Sequence, residues 1–217
     1  MTWIQTERGR AFDLVAPDCR LVDFAEMGDA LARIARFSGH IGAGPYSVAQ
    51  HSVLGADEIL RETGDVAAAA AFLLHDGHEA YLGDKTSPVA EAEVETAAFL
   101  FPGGGALVKQ VNQLMKQRID IAIYKAAGMG EHGCPFEHRP IVKLYDMRML
   151  ATERAQLMAT PRRRWHAAVE QAAPIRLQGK LMPWTWTKSA DEFRERLDRY
   201  LPGRVMAVPL SLPDLEA

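Results

Sequence analysis

Residues 72–89, FLLHDGHEAYLGDKTSPV, put two imidazoles and several carboxylates into one short span. His75 and Asp76 are adjacent, and His78 and Glu79 follow His75 by three and four positions. On a helix those spacings place His75, His78 and Glu79 on neighbouring positions of one face. The apolar run from Ala67 to Leu74 leads into them. Gly83-Asp84 predicts the end of the helix, and Thr86-Ser87-Pro88 turns the chain away. A helix that is apolar upstream and ionisable at its end delivers its charged groups to a cleft. Alone, an adjacent His-Asp pair also describes a core histidine beside a solvated aspartate. Two further stretches add to it: Tyr46-Ser47-Val48-Ala49-Gln50-His51-Ser52, and Ile141-Val142-Lys143-Leu144-Tyr145-Asp146, whose helical pattern continues to Glu153.

The order His51, His75-Asp76, Asp146, with the words YSVAQHS, LLHDGHEAYLGD…SP and K-x-x-D-x-x-x-L-x-x-E around it, resembles the HD-domain metal-dependent phosphohydrolases. Within that superfamily the chain is most similar to the bacterial 5′-deoxynucleotidase branch and related deoxynucleotide hydrolases. The resemblance implies an all-α HD-domain bundle. It also implies one divalent metal ion per chain (Mn, Co, Zn, Ni, Fe or Mg) held by His51, His75, Asp76 and Asp146. Two imidazoles and two carboxylates suit such borderline cations. By the same resemblance Glu79 is the catalytic carboxylate that orients water or shuttles its proton. Arg36 occupies the place of an arginine that grips substrate phosphate, a task for which a guanidinium is well shaped. Phe37 stands where that branch typically has tryptophan, so base and sugar recognition are open at this position. Asp84 matches an aspartate near the sugar, competing with its reading as a turn residue. His78 is read three ways: a partner behind the metal ligands, a proton donor to the leaving oxygen, or a surface residue. His132 and His138, with Cys134 between them, invite a second metal, but a mononuclear site is the expectation.

The implied activity is hydrolysis of a phosphate ester on a small nucleotide, with a deoxynucleoside 5′-monophosphate as the leading substrate. The alternatives are a deoxynucleoside triphosphate triphosphohydrolase using the same site, and a nucleotide-binding regulatory module with little turnover. The resemblance also suggests a homo-oligomer, with a dimer as first expectation.

Composition bounds the rest. The chain has 217 residues, 48% hydrophobic and 24% charged, which is the make-up of an ordinary globular protein. That length fits one domain, read as a hairpin and lead-in over 1–20, a metal-site helical core over 21–160 and a helical extension over 161–217. A net charge of −3 gives no basis for a duplex nucleic-acid surface or an anionic membrane partner. No apolar run approaches the roughly 20 residues needed to span a bilayer, and no signal-peptide core begins the chain, so a cytoplasmic location is expected. Cys19 and Cys134 are read as free thiols.

The elements that must position the chemistry are mostly helical. Trp3–Thr6 and Ala11–Leu14 flank a Gly turn and predict a β-hairpin too short to stand alone. Asp23 with Glu26 reads as a capping box, opening a helix that buries Phe24, Met27, Leu31, Ile34 and Ala35 and runs out near Arg36. Ser47 caps the His51 helix, which ends near Gly64. Residues 38–45 are a loop and not a phosphate-binding fingerprint. Residues 90–101 and Leu107–Ala127 predict two more helices around a Pro-Gly loop, the second with Leu107, Val111, Leu114, Met115, Ile119 and Ala122 at helical spacing. Pro140 opens the Asp146 helix, and Ser189 with Glu192 is read as the cap of the last one.

Overall fold

A computed structural model describes residues 1–209; the last eight positions of the predicted extension lie outside the described residues. The protein is all-α with a small N-terminal antiparallel hairpin. Strands β1 (Trp3–Gln5) and β2 (Ala11–Asp13) pair with Ile4 opposite Phe12. Phe12 is fully buried and stacks on Tyr81 with ring centroids 3.8 Å apart. The hairpin therefore uses one side chain to enter the core of the helical body.

Helix α1 (Phe24–Arg33) starts at Asp23, whose carboxylate accepts from the backbone N–H groups of Ala25 and Glu26. The cap is as expected, but the box is not reciprocal. Glu26 turns away from the helix start and accepts from the Thr6 hydroxyl and the Arg8 backbone N–H, fastening the hairpin loop to α1. Helix α1 also ends earlier than its hydrophobic pattern suggests. Ile34 and Ala35 are extended: Val48 N–H donates to the Ile34 carbonyl at 3.1 Å and Arg36 N–H to that of Tyr46 at 2.8 Å. This short antiparallel bridge, Ala35 opposite Ser47, sets Arg36 beside the start of α2.

Helix α2 (Val48–Thr63) is capped by the Ser47 side chain and closed by Gly64 in the left-handed region. Helix α3 (Val66–Leu74) is capped by Asp65 and fully apolar, with Ala68 to Leu74 all buried. Their close approach depends on Gly55. A β-carbon there would lie 2.1 Å from the Phe72 ring, so no larger residue fits without moving one helix.

Helix α3 stops at Leu74, not beyond Glu79. His75 to His78 form successive tight turns with bonds to the residue three before, such as Gly77 N–H to Leu74 O and Glu79 N–H to Asp76 O. The short helix α4 (Glu79–Leu82) follows, ended by Gly83. The two-helix arm α5 (Ser87–Leu100) and α6 (Gly104–Ala126) comes next. Pro88 stands in the first turn of α5, so Ser87-Pro88 starts that helix as well as turning the chain. The C-terminal part of α6 joins the core through Ile119, Ile123 and Tyr124, whereas Leu107, Val111 and Leu114 of the predicted stripe are exposed.

Helix α7 (Arg139–Leu157) carries Asp146, helix α8 (Ala167–Gln171) is one short turn, and helix α9 (Trp186–Tyr200) closes the body. Thr185, not Ser189, caps α9 by accepting from Lys188 N–H; Ser189 is buried inside the helix. Phe193 packs where Gly28 leaves room on α1. One core cluster runs from Phe12 of the hairpin to Leu201 after α9. Among the described residues no helix is long and apolar enough to cross a membrane.

Candidate metal centre

His51, on the first turn of α2, and His75, at the end of α3, point their Nε2 atoms at each other, 3.4 Å apart. Each ring's other nitrogen is already committed. His51 Nδ1 lies 2.6 Å from a carboxylate oxygen of Glu153, and His75 Nδ1 lies 2.6 Å from the Phe72 carbonyl. Both partners only accept, so each Nδ1 carries the hydrogen and each Nε2 presents its lone pair.

Two carboxylates close on the same spot. Asp76 Oδ2 is 3.2 Å from His75 Nε2 and 3.8 Å from His51 Nε2. Asp146 Oδ1, from two turns before Glu153 on α7, is 3.4 Å from His51 Nε2 and 3.8 Å from His75 Nε2. The closest trio is His51, His75 and Asp76, whose ligand atoms all lie within 4.8 Å of one another. Four acceptors thus converge with no donor among them, an arrangement that fits a cation. Ligand atoms about 2.0–2.2 Å from a shared centre stand roughly 3.0–3.5 Å apart, close to these separations.

Burial and neighbouring charge act on all four groups. Burial and Arg36 disfavour charge on His51, but Glu153 and Asp146 lift its pKa above the ordinary value. Burial likewise opposes charge on His75, and Asp76 and Asp146 overcome it, raising His75 well above the usual range. Against their own burial, Asp76 and Asp146 are held well below the usual carboxylate range, by His75 and His51 respectively and then by the other imidazole.

Glu79 lies beside this cluster, 8% exposed, with one buried carboxylate oxygen that has no hydrogen-bond partner. Burial, reinforced by Asp76 and Asp84, pushes its pKa up to about 9. It also groups with Asp76 and His78 within 4.8 Å. His78 is buried and its Nδ1 meets Asp120 Oδ1 at 3.0 Å, so the surface reading of His78 does not hold. The tight turns after Leu74 explain this: they swing His78 toward α6 instead of stacking it one helical turn above His75.

Arg36 reaches the rim of the cluster. Its guanidinium bonds Glu153 Oε2 at 3.2 Å and Asp76 Oδ2 at 3.3 Å. Phe37 and Ser38 follow with positive φ of 56° and 51°, a region an aromatic residue enters only when its surroundings impose it. That turn sends the Phe37 ring behind Arg36, onto a second apolar cluster of Ile41, Tyr46, Leu157 and Leu181, with Trp165 at 6.3 Å between ring centres. Asp84 is half-buried, its pKa raised by burial and then, against the lowering charge of Arg36, by Asp76. It therefore lies within electrostatic reach of the same cluster. Among the described residues neither His132 nor His138 joins a group of potential ligands. Cys19 and Cys134 are free thiols.

Glu153 is the residue that sequence reasoning left without a role. It is fully buried and holds both His51 and Arg36. Its signal was present, since it stands seven residues after Asp146 on one helix and so shares its face. Asp120 carried no comparable signal, because only the fold brings α6 next to His78.

No family model matches the chain. An uncharacterised protein of Rhodobacter capsulatus is 34% identical over 93 residues, which is 42% of this chain. The aligned region spans 47% of that relative, about half its length.

Proposed function

We propose that this protein is a metal-dependent phosphohydrolase acting on a small nucleotide, with a deoxynucleoside 5′-monophosphate as the leading substrate. The observation that carries the metal requirement is the convergence of two imidazole lone pairs and two carboxylates with no donor among them. The choice of reaction and substrate rests on the resemblance of the ordered words around these residues to the HD-domain phosphohydrolases. His51, His75, Asp76 and Asp146 would hold the cation. When bound, a divalent cation supplies charge neutralisation for phosphoryl oxygens and acidifies water.

The chain's own groups supply the rest. Glu79, grouped within 4.8 Å of Asp76 and with one unpartnered carboxylate oxygen, would accept a proton from the attacking water. As the water oxygen bonds to phosphorus, the bond from phosphorus to the ester oxygen breaks. The leaving alcohol regains a proton, giving a nucleoside and inorganic phosphate. Burial, with Asp76 and Asp84, raises the Glu79 pKa to about 9, which keeps the carboxyl protonated at neutral pH. Charge bound at Asp76 would weaken one cause of that elevation and allow Glu79 to start as the anion. Arg36 would take a phosphate oxygen by exchanging its contact with Asp76, while Glu153 keeps hold of its other edge. The same chemistry makes a cytoplasmic nucleotide pool the natural source of substrate.

The test is phosphate release from a panel of deoxynucleoside and ribonucleoside mono- and triphosphates with Mn, Co or Mg, alongside metal stoichiometry. Glu79→Gln should lower turnover by about 10²–10⁴ with bound metal unchanged. Metal lost from the variant would make Glu79 a ligand. Thermal stabilisation of the wild-type protein by nucleotides without turnover would favour the regulatory reading.

A further inference from the structure

We infer that Trp165, in the segment between α7 and α8, is a positioning residue for Arg36. It backs the Phe37 ring that holds the turn after Arg36, and so fixes where the guanidinium stands; its consequence for binding rests on the proposed reading of Arg36 as the phosphate-binding group. Three consecutive residues, Phe37, Ser38 and Gly39, have φ of 56°, 51° and 77°. Glycine takes such values freely, whereas a residue with a β-carbon does not. Two of these in a row persist only where the surroundings over-determine them. Backbone bonds supply part of that hold, from Arg36 N–H to the Tyr46 carbonyl and from His40 N–H to that of Phe37. The Phe37 ring supplies the rest, packed on the cluster of Ile41, Tyr46, Leu157 and Leu181. The Arg36 guanidinium carbon lies 5.7 Å from the centre of the same ring, within cation–π range. One ring therefore holds the turn and supports the group that the turn presents.

That ring meets Trp165, with centroids 6.3 Å apart and planes tilted by 58°, in the range that aromatic pairs favour. Trp165 is half-buried and is itself held in place. Its backbone N–H donates to Glu170 Oε1 at 3.0 Å, and Arg154 bonds the two oxygens of that carboxylate at 2.7 and 3.1 Å. The Arg154 guanidinium carbon also stands 5.6 Å from the indole centre. Arg154 follows Glu153, which bonds Arg36 directly. One turn of α7 thus reaches Arg36 by two routes. The Glu153 carboxylate holds an edge of the guanidinium, while Arg154, through Trp165 and Phe37, holds the backbone from which the side chain springs.

A long side chain loses rotamer freedom when it is pinned. If the loss falls on the binding step, the ligand is held less tightly. Arg36 has to trade Asp76 for a phosphate oxygen while keeping Glu153, and a fixed turn makes that trade a short swing in place. The effect of Trp165 therefore belongs to phosphate affinity and KM, and leaves the four converging acceptors alone.

Nitrogen–proton NMR of the full chain reads Arg36 directly, because its Nε–H donates to Glu153; Arg36→Lys identifies the signal by its loss. Trp165→Ala should broaden or shift that signal. It should also weaken binding of inorganic phosphate to the manganese-loaded protein and raise KM for a deoxynucleoside 5′-monophosphate, each by about three- to tenfold, the scale of one aromatic contact. Turnover should stay within about twofold, with metal stoichiometry unchanged. Trp165→Phe, which keeps a ring, should recover most of the loss. Trp186→Ala, which removes a partly exposed indole over Arg33, should change none of these quantities. If Trp165→Ala does not fold, Trp165→Leu keeps apolar bulk without a ring and carries the same expectation. An unchanged Arg36 signal in a folded variant, equal losses in Trp186→Ala, or a fall in kcat with phosphate affinity intact would overturn the assignment. A wild-type protein that neither binds phosphate nor turns over nucleotides, while its Arg36 signal still answers to Trp165, would keep the positioning role and sink the phosphohydrolase reading.

Discussion

A histidine offers a metal one lone pair only if its other nitrogen is held as a donor, and in this protein the holding group of His51 is the carboxylate of Glu153. That carboxylate is fully buried and its pKa is lowered; burial works against the charge, and Arg36 and His51 outweigh it. Glu153 therefore acts through others, fixing the ring of His51 and the guanidinium of Arg36 together. Glu153→Gln keeps the volume but turns a double acceptor into a group with a donor end. It can satisfy His51 or Arg36, not both. Metal affinity should drop by about 10–100-fold, as for other groups that back metal-bound histidines. If Arg36 binds phosphate, KM for nucleotide should rise as well. Calorimetric metal titration of the variant is the check, and unchanged affinity with normal nucleotide binding would leave Glu153 a structural role alone. The convergence of His51, His75, Asp76 and Asp146 and the nearness of Glu79 were legible because residue type and order carry them. Glu153 was half-legible: its spacing from Asp146 was visible, its two partners were not, since both come from segments more than 100 residues away.

Elements set the distances that residues need. The two imidazoles meet because α2 and α3 touch at Gly55, one helical turn past His51. Gly55→Ala puts a methyl group into the Phe72 ring, and overpacking of that kind costs typically 1–3 kcal/mol. The strain falls on the helix pair that carries His51 and His75, so thermal stability and metal affinity should fall together. Stability lost with affinity intact would mean that Phe72 moves and the helices do not. At the other end of α2, Glu62 ties that helix to α7: Arg148 bonds both its oxygens at 2.7 and 3.0 Å, and Tyr145 donates to it as well. These partners push the Glu62 pKa from its usual 4.5 down to about 2. A depressed carboxylate stabilises the fold above its unfolded pKa and loses that contribution as pH falls through the folded one. Wild type should therefore exceed Glu62→Gln in stability at neutral pH, with the gap closing between about pH 4.5 and 2. The margin is modest because the pair is solvent-exposed and screened. Denaturant titrations of both proteins across that range decide it. Periodicity and caps located these helices well, as Asp23, Ser47 and Pro140 show. It failed where backbone pairing overrode it. Ile34 and Ala35 fit a helical stripe yet lie extended, because bonds to Tyr46 and Val48 offered their backbone another partner. After Leu74 the cause is different: the backbone tightens into turns bonded three residues back, and His78 turns to Asp120 on α6.

At the scale of the molecule, the cluster joins three parts of the chain that the sequence keeps far apart. His51 belongs to α2, His75 and Asp76 to the end of α3, and Asp146 to α7. A cation held by all four binds the folded state alone, since an unfolded chain cannot bring them together. Binding then stabilises the fold by RT ln(1 + [M]/Kd), about 2.7 kcal/mol at a hundredfold excess over Kd. For a chain of 217 residues each kcal/mol is worth roughly 2–4 °C in melting temperature, so loading should raise Tm by about 5–10 °C. A chelator should reverse the rise. His75→Ala, which removes one lone pair and leaves the remaining acceptors facing each other, should abolish the metal-dependent part. Its metal-free melting point should fall as well, because the mostly buried His75 pairs with Asp76 and Asp146, so the comparison rests on the metal-dependent difference. Lys116→Glu on the outer side of α6 serves as a control in which the full metal-dependent shift persists. Scanning calorimetry with Mn or Co, with and without chelator, measures each quantity without using catalysis. An identical shift in wild type and His75→Ala would place the bound cation elsewhere and remove the converging acceptors as its site, whatever activity the protein has.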